Sequence, residues 1–207
     1  MRAIACEQGS PEWFAARTGV CTASRYKDAM ATLKSGAPAK ERLDYMAELA
    51  IERITGSLAD KFVNDAMKRG TQLEPEARQQ YSAETGELVQ EFGFALHDTL
   101  ALGCSPDGLV GDAGIIEIKC PVNAYKLAEL MSGRGADEYM PQIQGNLWIL
   151  GREWCDLVPY HPALPLRPIR VKRDEAYISK MADALSGFLA DVDSYTAQLR
   201  QQFREAA

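Results

Sequence analysis

The order of periodic segments along this 207-residue chain predicts an α/β or α+β fold, a small mixed β-sheet flanked by helices. Three observations point that way. Apolar residues recur at helical spacing in the N-terminal half, short β-rich runs separated by Pro-Asp-Gly and Gly-Asp-Ala-Gly turns fill the middle, and a long amphipathic stretch closes the chain. A chain of this length and composition, 46% apolar and 25% charged, buries a sizeable core, which excludes disordered, collagen-like and disulfide-scaffold classes. No internal repeat or linker divides it, so one domain spanning residues 1–207 is expected.

The elements follow in order. Pro11–Arg17 reads as a short helix. A second helix starts at Thr22 or Ser24, both good N-cap types, and runs through Tyr26, Met30 and Leu33 until Ser35-Gly36-Ala37-Pro38 breaks it. Glu41 to Thr55 carries Leu43, Met46, Leu49, Ala50 and Ile54 at helical spacing, with Gly56 as a natural C′ residue. A third long helix covers Asp65 to Thr85. Leu88–Leu96, Leu100–Ser105, Ile115–Cys120 and Trp154–Tyr160 form the sheet, with helices near Ala124–Met131 and Asp137–Leu150 between the last two. A helix from Asp174 to about Phe203 ends the chain.

Composition also limits function. The five cysteines are widely spaced without a Cys-x2-Cys pair, which argues for reduced, cytosolic thiols and against a zinc or iron–sulfur site. The N-terminus has no apolar h-region and no run of about 18 apolar residues occurs, so a cytoplasmic, non-membrane protein is expected. A net charge of −6 and a pI near 5.1 exclude a uniformly basic nucleic-acid coat, so any nucleic-acid role must use a local basic site or a metal.

Chemistry concentrates in the β-rich middle. Cys104-Ser-Pro-Asp107-Gly-Leu precedes Glu117-Ile-Lys119-Cys-Pro. Alternate strand residues lie roughly 6–7 Å apart on one face, which puts Glu117 with Lys119 and turns Ile116 and Ile118 the other way. A hairpin-like return brings Asp107 beside Glu117. Two carboxylates and the Ile118 carbonyl then make an oxygen-rich site suited to Mg²⁺ or Mn²⁺, with Lys119 placed to orient or deprotonate water and support developing charge. The same residues also suit a type I turn at Ser-Pro-Asp-Gly and a solvent-facing Glu-x-Lys ion pair.

Glu74 falls on a helix stripe with Gly70, Ala77 and Tyr81, where a carboxylate needs a facing cation; the alternative is a surface helix start at Glu74-Pro75 with Arg78 paired at i+4. Gln142 shares a face with Gly145, Asn146 and Ile149, so an amide stands where a small residue permits close approach.

Taken together, Trp13-x3-Arg17-x-Gly19-x2-Thr22-Ala23-Ser24, Gly70-x3-Glu74-x2-Ala77-Arg78, Ser105-Pro-Asp107-Gly, Glu117-Ile-Lys119 and Tyr139-Met-x-Gln142-x-Gln144-x3-Trp148 resemble the phage lambda exonuclease family, the alkaline-exonuclease branch of the restriction-like PD-(D/E)xK nucleases. The resemblance implies a restriction-endonuclease-like core and a Mg²⁺-dependent exonuclease, with Mn²⁺ able to substitute. Such an enzyme degrades double-stranded DNA 5′ to 3′, releases mononucleotides and leaves 3′ overhangs for strand annealing. It further implies Asp107, Glu117 and the Ile118 carbonyl as metal ligands and Glu74 as a ligand or water-positioning acid. Lys119 is then the base or charge stabiliser and Gln142 an active-site contact. Arg17, Ser24 and Ser105 match positions that hold the 5′-phosphate, and Met67 the position of an apolar wedge at the DNA end. A ring-shaped homotrimer and a single-strand annealing partner are implied too, with Lys61, Lys68, Arg69 and Arg134 as candidates for a basic inner wall. Asp98 falls near a further family acid, while His97 and His161 read as structural. Two other classes remain open at this level: a restriction-like endonuclease or RecB-like module, and a non-catalytic DNA-end-binding scaffold.

Overall fold

The computed structural model describes residues 1–58 and 65–205, with backbone alone for 65–67. Strand β1 (Arg2–Ile4) leads to α1 (Pro11–Arg17), where the Ser10 side chain accepts the Trp13 N–H at 3.2 Å and Pro11 occupies the first turn. Strand β2 (Cys21–Thr22) enters a 3₁₀ turn (Ala23–Arg25) and α2 (Tyr26–Ala29). Helix α3 (Lys40–Thr55) ends at Gly56, whose φ of +69° places it in the left-handed region. Helix α4 (Asp65–Thr85) is followed by β3 (Val89–Gln90), β4 (Phe94–Leu96), β5 (Leu102–Cys104), β6 (Gly108–Val110) and β7 (Gly114–Lys119). Then come α5 (Ala124–Met131), a 3₁₀ turn (Ala136–Tyr139), α6 (Met140–Leu150), β8 (Trp154–Pro159), β9 (Ile169–Lys172) and α7 (Glu175–Glu205).

The α+β class holds, with the strands divided between two small mixed sheets. One has the order β1-β4-β5-β2 and the other β3-β6-β7-β8-β9. The expected Leu88–Leu96 strand splits at its charged and glycine-containing middle, so that β3 pairs with β6 while β4 pairs with β1 and β5. Strands β1, β2, β6 and β9 are additions; each is short, and β6 lies within what reads in sequence as turn chemistry. The helix expected to continue from Ser24 to Leu33 stops at Ala29. Leu33 N–H donates to the Ala37 carbonyl and Ala39 N–H to the Ala31 carbonyl, so the backbone groups a longer helix would use are spent across the Ser35–Pro38 turn.

The five-stranded sheet is covered on both faces. Ala77 and Tyr81 of α4 pack on Ile116, Ile118 and Val158, while Leu130, Ile143 and Leu147 of α5 and α6 pack on Ile115, Cys155 and Leu157. Strand β7 is therefore buried on both sides, and the solvent-facing Glu-x-Lys alternative does not apply. A third cluster joins the four-stranded sheet to α2, α3 and α7, with Tyr45 stacked on Phe188.

Gly145 of α6 brings the 3₁₀ turn and α2 against α6. A Cβ there would lie 2.5 Å from Tyr26 Cε2 and 3.3 Å from Ala23 Cβ, both of buried residues. Gly145→Val is expected to cost about 1–3 kcal/mol through overpacking, lowering Tm by at least a few degrees in thermal unfolding.

Candidate active site

The β6–β7 hairpin builds the acidic pair. Gly108 is registered opposite Ile116, which puts Asp107 level with Glu117. The Ile118 N–H donates to Asp107 Oδ2 at 2.6 Å, fixing that carboxylate against the strand. Glu117 is 2% exposed. Its Oε1 accepts from Lys119 Nζ at 2.8 Å and from Gln142 Nε2 at 2.6 Å, and its Oε2 accepts from Asn146 Nδ2 at 3.0 Å. Lys119 Nζ also donates to Gln142 Oε1 at 3.1 Å, so the amide is read at both ends. Asn146 stands one helical turn after Gln142; its sequence spacing placed it on the same face, and only the fold supplies its partner.

Negative charge exceeds what Lys119 neutralises. Burial, and next the neighbouring Glu117, push the Asp107 carboxyl well above the usual carboxylate range. Burial also raises Glu74, against the opposing pull of Arg78. Burial acts to lower the Lys119 ammonium, but Glu117 and Asp107 outweigh it and hold it above the ordinary lysine value. Helix α4 runs through Pro75, so Glu74 does not mark a helix start. Arg78 reaches past it, donating to the Asp107 carbonyl at 3.3 Å and to Glu91 Oε1 at 2.9 Å, and so ties α4 to the hairpin. Among the described residues no three His, Cys, Asp or Glu side chains form a metal-holding set. The Asp107 and Glu117 carboxylates and the Ile118 carbonyl are hard oxygen donors, a chemistry that suits a divalent cation such as Mg²⁺.

A second cluster surrounds Arg17. Its guanidinium lies 4.1 Å from the Trp13 ring centroid, donates to Thr22 Oγ1 at 3.4 Å, and has no carboxylate ion pair among the described residues. Burial lowers its pKa, the mark of a desolvated cation. Thr22 Oγ1 is 3.4 Å from Ser24 Oγ, which joins Ser24 to the cluster. Ser105 accepts from Trp13 Nε1 at 3.0 Å and donates to the Gly93 carbonyl, so its hydroxyl is engaged within the protein. Trp13 and Thr22 are the contributors that sequence did not assign; the i, i+4 spacing of Trp13 and Arg17 on α1 was the available signal.

An open cleft of about 300 Å³ borders Ser24 of the second cluster and Lys119 and Gln142 of the first, and is lined also by Ala23, Lys27, Glu138, Tyr139 and Pro141. The remaining site expectations lie elsewhere. Asp98 pairs with the N-terminal ammonium at 2.7 Å. His97 Nδ1 accepts the Thr99 and Leu100 N–H groups, and His161 Nδ1 accepts the Ala163 N–H, so both close local turns. Gln144 bonds Lys172 and Asp174, away from Glu117. The Met67 side chain and Lys61 lie outside the described residues. Lys68 and Arg134 are exposed, and Arg69 donates to the Cys120 carbonyl at 3.3 Å.

Residues 12–153 match the model of the YqaJ-like viral recombinase domain. The fold superposes on an alkaline exonuclease from Laribacter hongkongensis with a TM-score of 0.85 and 42% identity, covering 96% of this chain and 100% of that one. The same exonuclease in complex with dAMP gives a TM-score of 0.86. A phage-related exonuclease from Haemophilus somnus 129PT shares the fold at a TM-score of 0.71 and 15% identity, covering 87% of this chain and 96% of that one. No curated protein sequence matches the chain. With the family model spanning more than half the chain and this degree of identity to a solved exonuclease, the protein belongs to the YqaJ-like viral recombinase family of alkaline, lambda-exonuclease-like nucleases.

Proposed function

We propose that this protein is a Mg²⁺-dependent 5′-to-3′ exonuclease of double-stranded DNA that releases 5′-mononucleotides and leaves 3′ single strands for annealing. The carrying observation is the cleft lined by Ser24, which shares Thr22 as a neighbour with Arg17, and by Lys119 and Gln142. A cleft bordered by one residue next to the guanidinium cluster and by two that contact the Glu117 carboxylate suits a terminal nucleotide with a phosphate on each side. Membership of the family supports a nuclease, and the dAMP complex of the Laribacter relative supports a nucleoside monophosphate as the product.

In this reading Arg17 grips the terminal 5′-phosphate, with Ser24 adding a hydroxyl donor and Ser105 joining by rotation of its hydroxyl. Asp107, Glu117 and the Ile118 carbonyl hold the divalent ion, which when bound supplies electrostatic stabilisation of the phosphoryl oxygens and acidifies water. Lys119 supports charge developing at the attacked phosphate, Glu74 and Gln142 orient the water, and Asn146 fixes Glu117. The Met67 wedge, a DNA-encircling homotrimer with Lys61, Lys68, Arg69 and Arg134 toward the duplex, an annealing partner and action in the cytoplasm of a phage-bearing cell belong to the same proposal. No helix among the described residues is long and apolar enough to cross a membrane.

End-labelled linear duplex tests the proposal: the 5′ label should leave first, as mononucleotide, only with Mg²⁺ or Mn²⁺, while closed circular plasmid stays intact. Nicking of the plasmid would point to an endonuclease instead. Arg17→Ala should slow digestion of 5′-phosphorylated ends by about 10–100-fold, the worth of one charge-assisted hydrogen bond, and hydroxyl ends far less; equal slowing would remove Arg17 from the phosphate site.

Asp107→Asn should abolish cleavage yet stabilise the metal-free protein. A carboxyl whose folded pKa is raised costs stability as pH climbs above its unfolded value of about 3.9 and until the folded pKa is passed, so the variant's Tm advantage in EDTA should be smallest near about pH 4 and grow as pH rises from there. Each kcal/mol gained is worth roughly 2–4 °C in a chain of this size. Added Mg²⁺ should raise the Tm of the wild type and not that of the variant.

A further inference from the structure

One wall of the cleft takes no part in the carboxylate cluster or the Arg17 cluster. Lys27 of α2 and Glu138 of the 3₁₀ turn before α6 both line it, and their charged ends meet with Lys27 Nζ 3.8 Å from Glu138 Oε1. Both side chains are well exposed, and an ion pair of that length in water holds little. Glu138 has a firmer partner in Lys126, whose Nζ donates to it at 3.0 Å while lying 5.4 Å from the Tyr139 ring centroid. Lys27 has no second ion-pair partner among the described residues. Glu138 therefore stays satisfied when Lys27 leaves, and Lys27 is free to change partners.

The position of that ammonium is specific. It lines the same cleft as Ser24 and Lys119, the cleft a strand would occupy if its terminal phosphate sat at Arg17 and its scissile phosphate at Asp107 and Glu117. A flexible point cation with a replaceable carboxylate partner suits a phosphodiester oxygen. Resting on the nuclease reading above, we propose that Lys27 exchanges Glu138 for a backbone phosphate of the strand being digested. Glu138 acts as the competing anion that sets how tightly that strand is held.

The exchange predicts opposite effects from its two members. With full-length protein, Mg²⁺ and 5′-phosphorylated linear duplex over a KCl series, Lys27→Gln should raise KM about tenfold, the effect of one charge-assisted hydrogen bond, with kcat changed far less. Its salt dependence should become shallower by about one contact. Glu138→Gln should lower KM, and Lys27→Arg should keep it near the wild-type value. Thermal unfolding of each variant checks that the fold is intact. An unchanged KM and salt slope in Lys27→Gln, or a raised KM in Glu138→Gln, overturns the exchange while leaving the nuclease reading in place. A wild-type protein that digests no duplex end overturns that reading first, and the exchange with it.

Discussion

The buried Glu117 carboxylate is the constraint on which the site's geometry depends. A charge taken out of water must be paired and hydrogen-bonded or it costs several kcal/mol. Glu117 meets that demand with Lys119 from its own strand and with Gln142 and Asn146 from α6. Those bonds fix how α6 lies across β7. They also orient the Gln142 amide, and they leave Asp107 close enough to feel Glu117 as a like charge. The arrangement is poorly neutralised by the protein's own groups, which is what an oxygen-rich site for a divalent ion requires.

The cleft follows from a second close approach. Because Gly145 carries no side chain, Tyr26 and Ala23 settle directly on α6, and the segment bearing Ser24 and Lys27 comes to face Gln142 and Lys119. The α1 helix then contributes Arg17 beneath Trp13, desolvated and without a carboxylate. Glu52 of α3 accepts the Gly19 N–H at 2.9 Å and holds the loop that follows α1. Packing devices far apart in the chain thus bring Ser24, which neighbours Thr22 of the Arg17 cluster, and Lys119 and Gln142 of the carboxylate cluster to one cleft.

Much of this was legible in the residues. Long periodic segments such as Glu41–Thr55 and Asp65–Thr85 declared themselves as helices, and the Asp107–Glu117 hairpin followed from the turn at Gly111-Asp112-Ala113-Gly114 and the apolar run after it. Other features were hidden because local pattern does not encode their partners. The two-residue and three-residue strands β2, β3 and β6 are too short to show a period and exist because neighbours pair with them. Ser105 matches a phosphate-holding position by resemblance, and no local pattern signals that Trp13 and Gly93 engage its hydroxyl. The helix after Ser24 looked longer than it is because the Ser35–Pro38 turn claims its backbone bonds.

By itself the sequence determined the class of fold, the identity of the acids, the ammonium and the amide, and the family they resemble, since these follow from residue type and near-neighbour spacing. Tertiary structure alone decided that Glu117 is buried and shared by two elements. It alone left Arg17 without a carboxylate ion pair among the described residues and stood Lys27 beside Glu138 in the cleft. The physical reason is that desolvation and charge balance depend on every group within a few ångströms, and the chain brings those groups together from positions separated by tens of residues.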